Sequence, residues 1–244
     1  MMKILALDSS GLVASVAVVE EETLLAEYTV NYKKTHSQTL LPMLNEAAKM
    51  IDLDLQSIDA IAVAGGPGSF TGLRIGSATA KGLGLALNKP IVSVPTVDAL
   101  AWNLYGSSYV ICPMMDARRN QVYTGIYRFV CESGCREMEF VTIQEQYPAA
   151  LEEIAAKLNE LGESVMLLGD GIPVYKEQLE QLLTVPYQFA PAHMSRQRAS
   201  AVAALGMRYI KEGKTETAAE HKPDYLRLSQ AERERAEKAA AETK

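Results

Sequence analysis

Short apolar runs alternate with helical stripes along the chain. Lys3–Asp8 is an apolar run closed by an acid, and Val13–Val19 and Leu24–Asn31 continue as strand-like stretches. Gly11 and the acidic run Glu20–Glu22 mark the turns between them. From His36 to Ile51 the period changes, and Leu40, Leu44, Ala47 and Ile51 fall on one helical stripe. A buried-type strand at Ala60–Ala64, a Gly- and Ala-rich helix at Thr71–Leu87 and a short strand at Ile91–Val94 follow. The second half then restarts. Tyr109–Asp116 is again an apolar strand ending in an acid, followed by strands at Gln121–Val130 and Glu137–Thr142 and a helix at Ala149–Leu161. Ser164–Leu168 is a strand that stops at Gly169-Asp170-Gly171, and Val174–Leu183 and Arg198–Glu212 read as helices. Ser229–Lys244 is charged, alanine-rich and almost without large apolar residues, so it is expected to be a solvated tail.

The restart is a weak internal repeat. Asp8 and Asp116, 108 residues apart, each close a strand and precede a turn and another strand. Two such units, each leading into alternating helices and strands, predict an α/β protein with a duplicated fold. Residues 1–107 and 108–228 form the two subdomains and 229–244 the tail. The duplicated architecture that begins this way is the actin-like (ASKHA) fold of actin, sugar kinases and Hsp70. There each half opens with a β-hairpin whose turn faces a nucleotide phosphate.

Composition narrows the function. With 48% hydrophobic and 22% charged residues the chain is an ordinary globular one. No apolar run approaches the roughly 18 residues of a membrane helix, and the N-terminal run is too short for a signal peptide. Three cysteines without a CxxC pair read as reduced thiols, so a cytoplasmic location is expected. The balance of 24 basic and 30 acidic residues excludes a self-sufficient electrostatic binder of nucleic acid, though not a local basic patch.

The densest motif is the Gly-rich segment Ala64–Gly76, between a strand and a helix. A Walker loop fails because no Gly-Lys follows at the required spacing, and GxGxxG fails because Thr71 replaces the third Gly. A Gly-rich turn at a helix N-terminus can bind an anion, but on spacing alone a tight structural turn ranks ahead, with Gly66, Pro67, Gly68 and Gly72 shaping it and Phe70 as its anchor. Asp8, Ser9, Ser10, Asp116 and Arg118 are the candidates for phosphate-facing turns, although neither turn has the Asp-x-Gly form. His36 has Leu40 one helical turn on, not a second His, so no metal site is expected. Two features point outward. Gly72, Gly76, Ala80 and Gly84 make a small-residue stripe, which suits either the protein's own sheet or a closely packed partner helix. The helix His36–Ile51 carries Leu41, Met43, Ala48 and Met50 besides its stripe, an apolar arc wider than one sheet face needs.

Six blocks carry a resemblance. Ile4–Ser10, His36–Pro42, Gly65–Gly76 (GGPGSFTGLRIG), Ala80–Leu83, Asp116–Tyr127 (DARRNQVYTGIY) and Pro223–Arg227 together resemble the TsaB (YeaZ) family, in order across nearly the whole chain. The resemblance implies an actin-like fold and a dimerisation subunit with no catalytic residues of its own. Such a subunit supports threonylcarbamoyl transfer to N6 of the adenosine beside the tRNA anticodon. It implies TsaD as partner, the ATPase TsaE joining the pair, a homodimer when the chain is alone, and tRNA engaged through the complex. No cofactor is expected in the isolated chain, with ATP or ADP a candidate only at the junction with the partner. TsaD carries an HxxxH metal pair on the helix that matches the one opened by His36. Its second position is Leu40 here, against metal chemistry in this chain. The partner surface is expected on Leu40, Leu41, Met43, Leu44, Ala47, Ala48, Gly72, Gly76, Ala80 and Gly84, with the two helices side by side. The rival readings are a small ATP-dependent phosphotransferase and a metalloprotease-like hydrolase of the same superfamily.

Overall fold

A computed structural model describes residues 1–32, 34–131 and 137–226. The expected tail, Cys135 and Arg227 lie outside the described residues. β1 (Lys3–Asp8), β2 (Val13–Glu20) and β3 (Thr23–Asn31) form an antiparallel meander that leads into α1 (His36–Met50). β4 (Ala60–Gly66) joins β1 in parallel, and after α2 (Phe70–Leu87) β5 (Ile91–Pro95) joins β4 in parallel. The sheet order is β3-β2-β1-β4-β5, and α3 (Thr96–Trp102) follows.

The second half repeats this path. β6 (Val110–Asp116), β7 (Gln121–Val130) and β8 (Glu139–Ala150) are the meander, then α4 (Leu151–Leu161), β9 (Val165–Leu168), α5 (Ile172–Leu182) and β10 (Tyr187–Phe189). Its order, β10-β9-β6-β7-β8, has the same parallel and antiparallel senses. The duplicated actin-like architecture is thus present in strand order as well as in the spacing of Asp8 and Asp116.

Three expectations change. β8 extends past Thr142 through Ala150 because it stays paired with β7 from Val130–Glu139 to Gln121–Ala150. α3 has only seven residues, too few to show a stripe, and was not anticipated. α6 (Ala199–Lys211) belongs spatially to the first sheet, not the second. Its Ala199, Val202, Ala203 and Leu205 share a core with Ile4, Ala6, Ala62 and Val92. The first sheet buries both faces, one under α1 and α2 and the other under α6, so the chain must return to it. Residues beyond α6 stay there too, through the Ile91–Glu216 bridge and the bond from Asp224 N–H to Gly65 O. The subdomain boundary at 108 therefore stands only as far as about residue 198.

Candidate functional site

The turn after β1 is buried, with Asp8, Ser9 and Ser10 at most 2% exposed. Asp8 Oδ1 accepts from the Ser10 N–H at 2.8 Å and the Ser10 hydroxyl at 2.6 Å. Ser9 Oγ donates to Gly72 O at 2.9 Å, and the Ser69 N–H donates to Ser10 O at 2.6 Å. The start of α2 is therefore clamped onto this turn. The His36 ring Nε2 lies 2.8 Å from Gly11 O and holds the start of α1 to the same place. Burial raises the Asp8 carboxyl to about 6, against the Ser10 hydrogen bonds and the nearby His36.

That shift has a sign. The folded chain holds the Asp8 proton more tightly than the unfolded chain. Its contribution to stability is full below about pH 4 and is lost as pH rises through about 6. Asp98, pushed to about 6 by burial while it accepts from the Tyr127 hydroxyl at 2.6 Å, acts in the same direction. Asp8→Asn should reduce the fall in stability between pH 4 and 7 by up to about 3 kcal/mol. Urea unfolding across that range checks this, and an unchanged pH profile would show that Asp8 does not titrate there.

The second turn has a different build. Arg118, Arg119 and Asn120 have φ of 65°, 55° and 57°. The Arg118 N–H donates to Asp116 Oδ1 at 2.8 Å, the Ala117 N–H to Gln121 O at 2.9 Å and the Gln121 N–H to Arg118 O at 3.2 Å. The Tyr175 hydroxyl donates to Asp116 Oδ1 at 2.9 Å, and the Asp116 N–H to Asp170 Oδ1 at 3.3 Å. A phosphate on such turns is held by backbone N–H groups aimed at it. Ser10, Ala117 and Arg118 each spend theirs on a protein oxygen, and Asp8, Asp116 and Asp170 place carboxyls around the gap. The phosphate-facing role expected of Asp8, Ser9, Ser10, Asp116 and Arg118 thus loses these three N–H donors but keeps the exposed Arg118 guanidinium, 3.4 Å from Asp116 Oδ2.

The fold nevertheless brings much of the set together. A cleft of about 830 Å³ between the two halves is walled in part by Ser10, Gly68, Phe70, Asp116, Arg118 and Gln197, while Asp8 and Ser9 lie beneath it. Gly66 (φ 126°) and Gly68 serve close approach: a Cβ at Gly66 would strike Asp224 O, and one at Gly68 would strike Ser10 O. Pro67 follows Gly66 through a cis peptide. Phe70 rests on Tyr225, with ring centroids 4.9 Å apart. The sequence reading missed Asp170, which was visible only as a strand stop. It also missed Gln197, buried with no hydrogen-bond partner on either amide atom and preceded by no sequence signal.

The expected partner surface needs a larger correction. Leu40, Met43, Leu44 and Ala47 are buried under α1 against Leu5, Leu7, Ile61 and Val63. Gly72, Gly76, Ala80 and Gly84 face inward too. A Cβ at Gly72 would collide with Ser9 O, one at Gly76 would lie 2.5 Å from Ser9 Oγ, and one at Gly84 would crowd Ala218 and Lys89 O. The stripe is bare because α2 lies directly on the β1 turn and the C-terminal segment. The outward face of α2 is a second seam: Thr71, Ile75, Ala78, Gly82 and Leu85 recur every three or four residues, all exposed or half-buried. Nothing approaches the Gly82 position within 4 Å, and Leu85 is 70% exposed. α1 touches α2 and exposes Leu41 (51%) and Met50 (69%), with Ala48 half-buried. Among the described residues no group of three His, Cys, Asp or Glu gathers for a metal, and no helix is long and apolar enough to cross a membrane.

Comparisons with known proteins agree with one another. Residues 23–235 match the family model described as TsaD, tRNA N6-adenosine threonylcarbamoyltransferase. The tRNA threonylcarbamoyladenosine biosynthesis protein TsaB of Bacillus subtilis is 35% identical over 231 residues, which is 95% of this chain and 96% of that one. The TsaB protein of Escherichia coli is 35% identical over 52% of this chain and 55% of its own length. Among solved structures, YeaZ from Pseudomonas aeruginosa is 27% identical with a TM-score of 0.73, covering 93% of this chain and 100% of that one. Another crystal structure, of an uncharacterised protein with similarity to the peptidase YeaZ from Pseudomonas aeruginosa, is 28% identical. Its TM-score is 0.76, over 93% of this chain and 100% of that one.

Proposed function

The chain belongs to the TsaB (YeaZ) family of tRNA threonylcarbamoyladenosine biosynthesis proteins, and on that premise we propose that it is a scaffold without catalysis of its own, pairing with TsaD through the outward face of α1 and α2. Its place in the formation of threonylcarbamoyladenosine in tRNA comes with the family. The observation that carries the finer reading is the exposed seam on α2. The large apolar side chain of Leu85 stands in water beside the near-bare backbone of Ala78 and Gly82, and the touching helix α1 exposes Leu41 on one flank and Met50 on the other. Such a surface loses free energy to water until a second helix pair covers it, and a bare seam lets that pair approach closely. A homodimer about a two-fold axis covers the same face when TsaD is absent.

Three further points support this reading. In the candidate phosphate turns the Ser10, Ala117 and Arg118 N–H groups bond within the chain, which supports a nucleotide at the junction with a partner rather than in these turns alone. Leu40, at the position of the second metal ligand in the catalytic relative, is built into the core under α1. The net charge of −6 suits a chain that leaves tRNA binding to TsaD and nucleotide turnover to TsaE, in the cytoplasm. The test is reconstitution. Co-purified TsaD, with TsaE, tRNA and the threonylcarbamoyl donor, should modify tRNA only when this chain is added, and the chain alone should hydrolyse neither ATP nor peptide. Phosphotransfer or peptide cleavage by the isolated chain, lost in Asp8→Ala, would establish one of the rival classes instead.

A further inference from the structure

A second surface feature adjoins the α2 seam. A pocket of about 400 Å³ lies between α2 and the segment after α6, lined by Arg74, Ser77, Ala78, Lys81, His221 and Lys222, with Pro223 and Tyr225 at one wall. Three of these are cations, in a chain with six more acids than bases. Among the described residues none of the three makes an ion pair. The neighbouring acids are already engaged. Glu216 holds His221 Nδ1 at 2.7 Å, and Glu220 accepts from the Thr217 N–H and hydroxyl at 3.0 and 2.8 Å.

Two of the cations are also held in place. Arg74 lies over the Phe70 ring, 4.6 Å from its centroid, and Phe70 in turn rests on Tyr225. Lys81 Nζ donates to His221 O at 3.0 Å and Ala219 O at 3.4 Å, which fixes it half-buried at the base. His221 is itself buried in the lining, and its Nε2 has no hydrogen-bond partner. With Arg74 and Lys81 pre-positioned and none of the three cations neutralised, the site can receive an anion at a reduced side-chain entropy cost.

We propose that this pocket receives an acidic side chain of the partner that covers α2, an aspartate or glutamate carboxylate that Arg74, Lys81 and Lys222 bind together. The inference rests on the scaffold reading and adds its polar anchor. Continuity supports a protein carboxylate, since Ala78 is exposed on the seam and also lines the pocket. Charge supports it as well. An RNA backbone brings a phosphate at every nucleotide, and beyond these three cations it would meet Glu216, Glu220 and Asp224 close by in the same segment. A single carboxylate needs only the pocket. An apolar seam flanked by one charge-matched contact also fixes the register of two helix pairs, which a bare apolar face does not.

The test measures the affinity of the full chain for TsaD by calorimetry at two salt concentrations. It compares wild type, the double variant Arg74→Glu/Lys222→Glu and the seam variant Leu85→Glu, each checked for an unchanged melting curve. The double variant should bind at least about tenfold more weakly than wild type, with a shallower salt dependence, and Arg74→Lys/Lys222→Arg should restore most of the affinity. Wild-type affinity in the double variant, with binding lost in Leu85→Glu, would overturn the pocket and leave the scaffold reading standing. Absence of binding by wild type, or full binding by Leu85→Glu, would overturn the scaffold reading itself. A double variant that binds TsaD normally but weakens tRNA retention by the assembled complex would assign the pocket to RNA phosphate and also overturn the proposal.

Discussion

Gly72→Val should cost about 3 kcal/mol or more of folding stability, while Gly82→Ala on the same helix should add about 0.5–1 kcal/mol. Both are glycines inside α2, where an alanine is the better helix former. Their surroundings decide the opposite signs. Gly72 is buried, its carbonyl accepts from Ser9 Oγ, and a Cβ there would occupy the space of Ser9 O. Backbone on both sides leaves nothing that can move aside cheaply. Gly82 faces open space, so a methyl group meets no atom and only the helix propensity changes. Gly76→Leu belongs with Gly72→Val, because its side chain would enter the space between Ser9 Oγ and Val63. Urea unfolding followed by circular dichroism measures all three. A Gly72→Val protein as stable as wild type would show that α2 does not lie on the β1 turn in this way.

Leu85→Glu should weaken assembly with TsaD by about 2 kcal/mol or more, roughly thirtyfold, with the monomer fold intact. Leu85 is exposed in the single chain, so a charge there costs the fold little. In a closed seam the same carboxylate is buried against apolar surface without a partner, which is costly. Gly82→Leu tests the same face by bulk and should hold the facing helix away. Size-exclusion chromatography with purified TsaD reads both variants. Co-elution of Leu85→Glu with TsaD at wild-type affinity would place the contact on another surface.

The direction of α2 shows where sequence reading stops. The strands and α1 were legible because their apolar periods differ, and the duplication because Asp8 and Asp116 each close a strand before a turn. On α2 the periods do not discriminate. Gly72, Gly76, Ala80 and Gly84 form one small-residue stripe, and Ala78, Gly82 and Ala86 form another on the far side. Which of them faces the protein is settled by the Ser9 carbonyl, donated by a turn more than sixty residues away, and no local pattern encodes that approach. Of the apolar residues outside the α1 stripe, Leu41 and Met50 are exposed and Ala48 half-buried, but Met43 belongs to the core. Leu40, Met43, Leu44 and Ala47 were placed in the same surface set because a helical stripe alone does not say how wide the covering sheet is. The cleft was legible only in outline. Its hairpin aspartates could be found by spacing, but the inward turning of donors such as the Ser10 N–H depends on hydrogen bonds that close within the turn itself. Arg74 and Lys81 lie two turns apart on α2, and Lys222 joins them only because the chain returns to the first sheet after α6.

The central claim is that TsaD covers the outward face of α1 and α2. Hydroxyl-radical footprinting of the unmodified chain, alone and with TsaD, tests it most directly, since it reads side-chain exposure without altering any residue. Leu85 should lose most of its reactivity when TsaD is added, while Val174 on α5, exposed on the other half of the molecule, should keep its own. A complex in which Leu85 stays as reactive as in the free chain would contradict the account.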